Sequence, residues 1–232
     1  MCGRFTLTVN PEVVQLAFAL ESVPANYTPR YNIAPTQPVL ALTNEGHRRA
    51  TMLRWGLIPA WAKDPSIGNS LINARSETLA EKPAFRHAFR RRRCVIFADG
   101  FYEWQRLPDG RRRPMYIRLA SGEPFALAGL WEIWQPSHSD EALRTCTIVT
   151  TRPNAFMASI HARMPVILDR AVVEDWLTPG DVDPLELMPL LAPLEMLPLT
   201  AYEVSRAVNS PHTDVPDLIR PLPASPPPDR LL

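Results

Sequence analysis

The chain has 232 residues, of which 46% are hydrophobic and 21% charged, so it can bury a core, and disorder or a coiled coil over the whole chain is excluded. The 25 Lys and Arg residues nearly balance the 24 Asp and Glu residues, so any nucleic-acid affinity must come from local clusters. Only Lys63 and Lys82 are lysines. The excess of arginine suits bidentate phosphate binding, with genomic composition as the alternative explanation.

Cys2, Cys94 and Cys146 show no Cys-x-x-Cys spacing, and the five histidines show no paired ligand spacing. We therefore expect no disulfide scaffold, metal site or cofactor. No apolar stretch approaches the length of a membrane span, and the N-terminal region lacks the pattern of a secretory signal. We expect a cytoplasmic protein with reduced thiols.

In chain order, Asn10, Pro11 and Glu12 form a helix start signal and predict a helix over 11–20. Apolar runs of strand length, separated by turn signals, predict eight strands: Val39–Leu42, Met52–Leu57, Cys94–Ala98, Phe101–Gln105, Met115–Leu119, Phe125–Trp134, Cys146–Thr151 and Val166–Leu168. Pro108-Asp109-Gly110 predicts a hairpin turn. Further helices are expected at 83–91, 170–177 and 184–191.

Strands and helices do not alternate strictly, which favours an α+β plan in a single compact domain. We place this domain at residues 2–220. The 26 prolines crowd at 184–198 and 211–228, and residues 221–232 are interpreted as a Pro-rich tail of polyproline-II character.

Cys2 could carry unusual chemistry, because a small second residue normally allows removal of Met1. The product is a 1,2-aminothiol whose amine has a pKa of about 7.7–8.0, against about 10.4 for lysine. Such a pair condenses with an aldehyde to an imine, and sulfur then closes a five-membered thiazolidine. An ordinary buried or frayed N-terminus is the alternative.

Three further motifs place polar groups where a proton or an anion could be handled. Asn73, Arg75 and Glu77 share one face if their segment is extended. Glu103 follows an apolar strand and lies between aromatic residues, which would raise its pKa and suit proton transfer. His161 and Arg163 precede a proline that discourages a helix. Structural roles remain open for all of them.

Arg90–Arg93 and Arg111–Arg113 are the dense basic runs, and Trp55, Trp61 and Trp104 lie near them in sequence. Basic clusters with interleaved aromatic rings are typical of single-stranded nucleic-acid binding. A solvated charge run is the alternative for each cluster.

Seven motifs, in this order, resemble the SOS response-associated peptidase (SRAP) family across nearly the whole chain. They are Met1-Cys-Gly-Arg-Phe, Tyr31-Asn-Ile-Ala-Pro35, Arg54-Trp-Gly-Leu-Ile-Pro-Ala-Trp61, Asn73-Ala-Arg-Ser-Glu-Thr78, Arg93-Cys-Val-Ile-Phe-Ala-Asp-Gly-Phe-Tyr-Glu-Trp104, Ile160-His-Ala-Arg-Met-Pro165 and Ser205-Arg-Ala-Val-Asn209. The resemblance implies a strand-rich, β-barrel-like core flanked by short helices. It also implies a protein that crosslinks to abasic sites in single-stranded DNA.

The resemblance further implies residue roles. Cys2 is the nucleophile, Asn73 orients it and the sugar, Glu103 moves protons during imine formation, and His161 assists opening of the sugar. The implied DNA-binding residues are Arg4, Pro35, Trp61, Arg75, Arg163, Ser205 and Asn209. On this basis we expect a nucleoid-associated monomer whose partner is single-stranded DNA.

Three rival functions stay open. Glutamine amidotransferases with an N-terminal nucleophile also begin Met-Cys-Gly and use the thiol with its own amine as base. A thiol peptidase that removes its own Met1 is a related hydrolase. In the third, the chain is a non-catalytic single-stranded DNA-binding module and Cys2 is incidental.

Overall fold

The computed structural model describes residues 2–136 and 141–223. The strands are β1 Arg4–Leu7, β2 Arg30–Ile33, β3 Pro38–Thr43, β4 Thr51–Trp55, β5 Asn73–Arg75, β6 Arg93–Ala98, β7 Gly100–Arg106, β8 Arg112–Leu119, β9 Phe125–Trp134, β10 Leu143–Thr151, β11 Met164–Pro165, β12 Ile167–Leu168 and β13 Leu199–Glu203. The α-helices are α1 Pro11–Ala17, α2 Arg86–Arg91, α3 Ala155–Ala158, α4 Val173–Trp176 and α5 Pro184–Leu187. Short 3-10 helices cover Pro65–Asn69, Ser76–Thr78, Arg170–Val172, Met188–Leu191, Arg206–Asn209 and Pro216–Ile219.

Five strands close into a barrel in the order β10, β4, β3, β6, β9 and back to β10. The pairings are antiparallel except for β10 with β4, which is parallel. Gly129 on β9 permits close packing, because a Cβ there would lie 2.8 Å from the sulfur of Cys94. The barrel and its short helices confirm the expected α+β fold with a barrel-like core.

A second sheet, in the order β13-β8-β7-β1-β2, packs beside the barrel. Phe5 of β1 meets Trp55 of β4 edge to face, with ring centroids 5.2 Å apart, and so joins the two units. Gly100 begins β7, and a Cβ there would lie 2.2 Å from the hydroxyl of Tyr116. That hydroxyl lies 3.0 Å from the Thr6 hydroxyl, so glycine lets β7 approach closely.

All eight predicted strands are confirmed, with ends shifted by at most three residues, and β9 matches its prediction at both ends. The helix at 11–20 was predicted too long. It ends at Ala17, Asn10 makes no side-chain cap bond, and Ala19 has a positive φ of 48° that stops the helix.

The remaining helices are also shorter than expected. Helix 83–91 is reduced to α2, 170–177 is a 3-10 turn followed by α4, and 184–191 is α5 followed by a 3-10 turn. The hairpin turn at Pro108-Asp109-Gly110 is confirmed, with Gly110 at φ 82° and the Leu107 N–H donating to the Arg111 carbonyl at 2.8 Å.

The start of the predicted tail touches the second sheet. The Leu222 N–H donates to the Glu203 carbonyl at 2.9 Å, and residues 224–232 lie outside the described residues. Across the described ranges, no helix is both long and apolar enough to span a bilayer.

Candidate functional site

Cys2 lies just before β1, at the junction of the two sheets. Arg4 faces Tyr102 across the β1–β7 pair, so continuing this register brings Cys2 alongside Glu103 and Trp104. The Cys2 side chain is fully buried, with its sulfur 3.9 Å from the Arg4 carbonyl. Burial first, and the charge of Glu103 second, raise the pKa of the Cys2 thiol well above its usual range. The sulfur is therefore held as a thiol near neutrality.

Asn73 connects the barrel to this N-terminal segment. Its strand β5 pairs with β10, and its Nδ2 donates to the Cys2 carbonyl at 2.9 Å. Its Oδ1 is buried and has no hydrogen-bond partner among residues 2–136 and 141–223. A buried acceptor without a partner is unfavourable unless a bound group donates a hydrogen bond to it. Asn73 thus fixes Cys2 and offers one acceptor to a ligand.

Glu103 and His161 form an acid–base pair from different parts of the chain. Glu103 is 1% exposed, and burial raises the pKa of its carboxyl. The His161 Nε2 lies 3.8 Å from the Glu103 Oε2, and the imidazole is about one-quarter exposed. Its Nδ1 accepts from the Arg163 N–H at 3.1 Å, which fixes the ring orientation. The pair can exchange protons between a buried carboxyl and the surface.

The loop carrying His161 is itself held in place. Asn154 caps α3 by accepting from the Met157 N–H at 2.9 Å, and the Met157 carbonyl then accepts from the His161 N–H at 2.9 Å. The imidazole therefore starts from a fixed backbone.

A cleft of about 380 Å³ opens over Glu103 and His161. Its remaining lining residues are Trp104, Arg106, Arg112, Ile160 and Ala162. The structure therefore brings Glu103 and His161 together in one concave site, and the register of β1 with β7 carries Cys2 alongside Glu103. Arg106 was missed in the sequence. The confirmed hairpin turn was the available signal, since it places Arg106 directly opposite Arg112.

The three predicted phosphate-binding arginines differ in what they contact. Arg4 donates to the Val208 carbonyl at 2.7 Å and to Asn32 Oδ1 at 3.1 Å, and burial lowers its pKa. Arg163 forms two bonds to Glu77, at 2.5 and 3.0 Å, and one to the Thr150 carbonyl at 2.6 Å.

Arg75 is exposed and makes no side-chain hydrogen bond or ion pair within the described residues. Of these three guanidinium groups, it is the one that keeps its donors available for an anion.

The expectation that Asn73, Arg75 and Glu77 share one extended face is wrong for Glu77. The strand ends at Arg75 and a 3-10 turn begins at Ser76, which turns Glu77 toward Arg163. The ion pair lowers the pKa of Glu77, chiefly through its hydrogen bond to that guanidinium.

Trp61 and Pro35 lie on surface loops, and 60% of Trp61 is exposed. The Trp61 loop is anchored by the Trp134 indole N–H donating to the Ala62 carbonyl at 2.7 Å. Thr36, next to Pro35, has φ 72°, an uncommon conformation for a β-branched residue, and its N–H donates to the Trp55 carbonyl at 2.8 Å. A fixed loop with an exposed ring can stack on a nucleobase.

Ser205 and Asn209 contact protein groups. The Ser205 hydroxyl accepts from the Ala207 N–H and caps the turn at Arg206–Asn209. Asn209 Oδ1 accepts from the Trp104 indole N–H at 2.8 Å. Asn209 therefore orients an aromatic ring of the cleft.

In the first basic run, three arginines are paired with acidic side chains and the fourth is buried. Arg90 and Arg91 pair with Asp181, Arg92 pairs with Glu132, and Arg93 is completely buried. The sequence interpretation is wrong for Arg93, whose guanidinium donates to four backbone carbonyls.

In the second basic run, Arg111 pairs with Asp109 and Arg113 with Glu203, whereas Arg112 lines the cleft. Within the described part of the chain, no group of three or more His, Cys, Asp or Glu side chains could hold a metal ion.

Comparison with known proteins places this site in a family. The family described as SOS response associated peptidase (SRAP) matches residues 1–211. The protein named "Abasic site processing protein YoqW" from Bacillus subtilis is 47% identical over 222 residues, covering 94% of this chain and 99% of that protein. "Abasic site processing protein HMCES" from Xenopus tropicalis is 31% identical over 261 residues, covering 94% and 77%.

The fold comparison agrees. A crystal structure of a protein from Bacteroides thetaiotaomicron matches with a TM-score of 0.86 at 25% identity, covering 95% of this chain and all of the other. The profile match and the two relatives, taken with the fold, lead to one assignment: the chain belongs to the SRAP family.

Proposed function

We propose that this chain, after removal of Met1, forms a covalent crosslink to abasic sites in single-stranded DNA through Cys2. The observation that carries the proposal is the convergence of Asn73, Glu103 and His161 on the Cys2 end of β1. Asn73 holds the Cys2 carbonyl at 2.9 Å, and Glu103 lies 3.8 Å from His161. The relatives named abasic site processing proteins supply the substrate class.

The chemistry balances without a cofactor. The free Cys2 amine adds to the aldehyde of the opened abasic sugar, and the carbinolamine then loses water to give an imine. The thiol adds across this C=N bond, so that a C–S bond forms and the thiol proton ends on nitrogen. The product is a thiazolidine, and no redox step is needed.

The raised pKa of the Cys2 thiol fits this order of events. A buried thiol is a weak nucleophile toward ordinary carbonyls, but it is already beside the imine carbon when the amine has reacted.

Glu103 and His161 then have separate tasks. An abasic sugar is mostly a closed hemiacetal, and its opening needs a proton on the ring oxygen. The partly exposed His161 would deliver that proton, while buried Glu103 would exchange protons with the amine and the carbinolamine. The Asn73 Oδ1 would accept from the substrate or from the amine.

For DNA binding, Arg75 would hold a phosphate, and Trp61 with Pro35 would meet the bases beside the lesion. Arg4 and Arg163, which are bonded within the protein, would add positive charge and fix the site. One chain supplies every group, so a monomer is sufficient. With DNA as its partner, the protein would act at the nucleoid.

The proposal is tested by trapping the intermediates on abasic single-stranded DNA. Cys2→Ala should lose the stable adduct, and Cys2→Ser should leave an imine that appears only after borohydride reduction, because oxygen does not close the durable ring. Cys146→Ala, another buried cysteine, is the matched control and should crosslink normally. A stable, borohydride-independent adduct with Cys2→Ala would overturn the assignment, and release of ammonia from glutamine by the wild type would favour the amidotransferase function.

A further inference from the structure

The hairpin of β7 and β8 carries an unusual charge arrangement at the cleft. Arg106 and Arg112, here called the arginine pair, lie directly opposite each other in the antiparallel register. Like charges at such positions are a few ångströms apart and destabilise a strand pair. Both side chains are exposed and both line the cleft with Glu103 and His161.

Neighbouring arginines on the same hairpin are neutralised, and the arginine pair is not. Arg111 bonds Asp109 at 2.7 Å, and Arg113 bonds Gln105 at 2.8 Å and Glu203 at 3.4 Å. Within the described residues, Arg106 and Arg112 have no hydrogen bond to a side chain and no ion pair. Two facing cations that no described acidic side chain pairs with, at the edge of a concave site, are suited to bind an anion from outside.

We propose that the arginine pair is a phosphate-binding subsite that holds a backbone phosphate of the DNA strand next to the abasic sugar. This inference rests on the proposed function for its substrate. An abasic sugar at His161 has a phosphate on either side, so a phosphodiester is the anion that enters the cleft with it. Two guanidinium forks can each give parallel bonds to phosphate oxygens, which lysines could not.

The geometry of β7 connects this subsite to the reacting groups. Trp104 and Arg106 are two residues apart and share one face of the strand, and Trp104 is fixed by its bond to Asn209. Glu103 lies between Trp104 and the buried start of the strand. By the same alternation Glu103 projects from the other face of β7, so the connection between the subsite and the carboxyl is the cleft that Glu103, Arg106 and Arg112 all line. A phosphate on the arginine pair would set the position of the adjoining sugar in this cleft.

The test separates binding from chemistry. The probe is a fluorescent single-stranded oligonucleotide with one tetrahydrofuran residue, an abasic analogue that has no aldehyde. Affinity is measured against salt for the wild type, for the double variant R106Q/R112Q, and for R111Q, the matched control on the same hairpin. The double variant should bind about tenfold more weakly, and its log–log salt slope should be flatter by about 0.7, the value for one phosphate.

A phosphate scan identifies the contact. In oligonucleotides that each carry a single uncharged methylphosphonate, substitution at one position next to the analogue should weaken binding by the wild type and by R111Q but not by R106Q/R112Q, while sensitivity at other positions, such as a phosphate held by Arg75, should persist in all three. If the double variant keeps the wild-type slope and the full pattern of sensitivity, the subsite assignment is wrong. Because removing the facing charges relieves repulsion, the double variant should unfold at a temperature no lower than the wild type.

Failure of this inference is distinguishable from failure of the proposed function. If natural abasic DNA forms an adduct with the wild type but the phosphate scan shows no difference, only the subsite is overturned. If the scan succeeds and no adduct forms, the subsite stands and the crosslinking function is overturned.

Discussion

The barrel end around Arg93 and the cleft around Glu103 both bury ionisable groups, but they satisfy them differently. The Arg93 guanidinium donates to the carbonyls of Phe89 and Arg90 in the last turn of α2, and to those of Trp176 and Thr178 at and just beyond the end of α4. Burial lowers its pKa to about 10, so it stays charged at neutral pH.

At the cleft, burial acts in the other direction on Glu103, raising the pKa of its carboxyl toward the neutral form. Nearby, Asn73 keeps a buried acceptor without a partner in the described residues, and the arginine pair keeps its charges uncompensated. At the barrel end, backbone carbonyls accept the hydrogen bonds of the Arg93 guanidinium. At the cleft, the Asn73 Oδ1 and the arginine pair can still bind a ligand. Substitutions at the barrel end should therefore lower folding stability, and substitutions at the cleft should alter crosslinking or DNA binding.

The largest expected effect is on stability. Arg93→Met would leave four carbonyls without their donor, and we expect the free energy of unfolding to fall by about 3–5 kcal/mol, measured by urea titration. Crosslinking per folded molecule should be unchanged. Arg91→Met, which removes an exposed partner of Asp181, is the control and should lose at most about 1 kcal/mol. Equal small losses in both variants would contradict the structural role of Arg93.

Glu103→Gln should reverse this pattern. The shape of the side chain is kept, but proton exchange is lost, so we expect crosslinking to slow by about 10³-fold. Single-turnover rates should fall for both the closed abasic site and a pre-opened aldehyde analogue, because both pass through the imine. A defect confined to the closed sugar would assign Glu103 to ring opening instead.

Stability against pH provides the folding control for that variant. Since the folded pKa of Glu103 is raised, the protonated carboxyl favours the fold below the unfolded pKa, and this contribution is lost as pH rises through the folded pKa. Glu103→Gln should therefore gain stability relative to the wild type as pH rises from acid toward neutrality. A constant difference between the two proteins would show that the carboxyl is not perturbed.

His161→Ala should have a smaller and more selective effect. We expect crosslinking to a natural abasic site to slow by about 10²-fold, with much less slowing on the pre-opened analogue. The measurement is the crosslinking rate of each protein on the two substrates at saturating DNA. Equal defects on both would leave positioning as the task of this histidine.

The smallest expected effect is that of Arg75→Ala on the affinity for single-stranded DNA. Because its guanidinium makes no hydrogen bond or ion pair within the described residues, Arg75→Ala should flatten the log–log salt dependence of single-strand affinity by about 0.7. Arg49→Ala, whose guanidinium is paired with Glu21, should leave the slope unchanged. If both variants keep the wild-type slope, the charge of Arg75 does not meet a phosphate.

The sequence was most informative where local pattern and tertiary structure agree. Phe125–Trp134 is apolar enough to predict β9 at both ends, because a barrel strand is buried on both faces. The other five strands, β1, β2, β5, β11 and β13, were not among the eight predicted. Thr6 and Asn32 are polar yet buried, and their partners lie far away in sequence: Asp99 for Thr6, and the carbonyls of residues 208–213 for Asn32.

At the candidate site, too, partners that are distant in sequence could not be predicted. Residue type and neighbours made Cys2, Glu103 and His161 candidates, the family resemblance implied their roles, and the structure brings them together. The run at Arg90–Arg93 had the stronger charge pattern, but Asp181, Glu132 and helix-end carbonyls engage it. Which arginine stays available depends on partners that only the fold brings close, so the count of neighbouring charges could not distinguish Arg93 from Arg112.

The central claim is covalent capture by Cys2, and intact mass spectrometry of the wild-type protein mixed with abasic single-stranded DNA tests it most directly. Covalent capture predicts a protein lacking Met1 and a new species whose mass is the sum of that protein and the oligonucleotide less one water, stable without borohydride. Digestion should place the modification on Cys2. A processed protein that binds this DNA but shows no added mass, or an adduct located on another residue, would contradict the account.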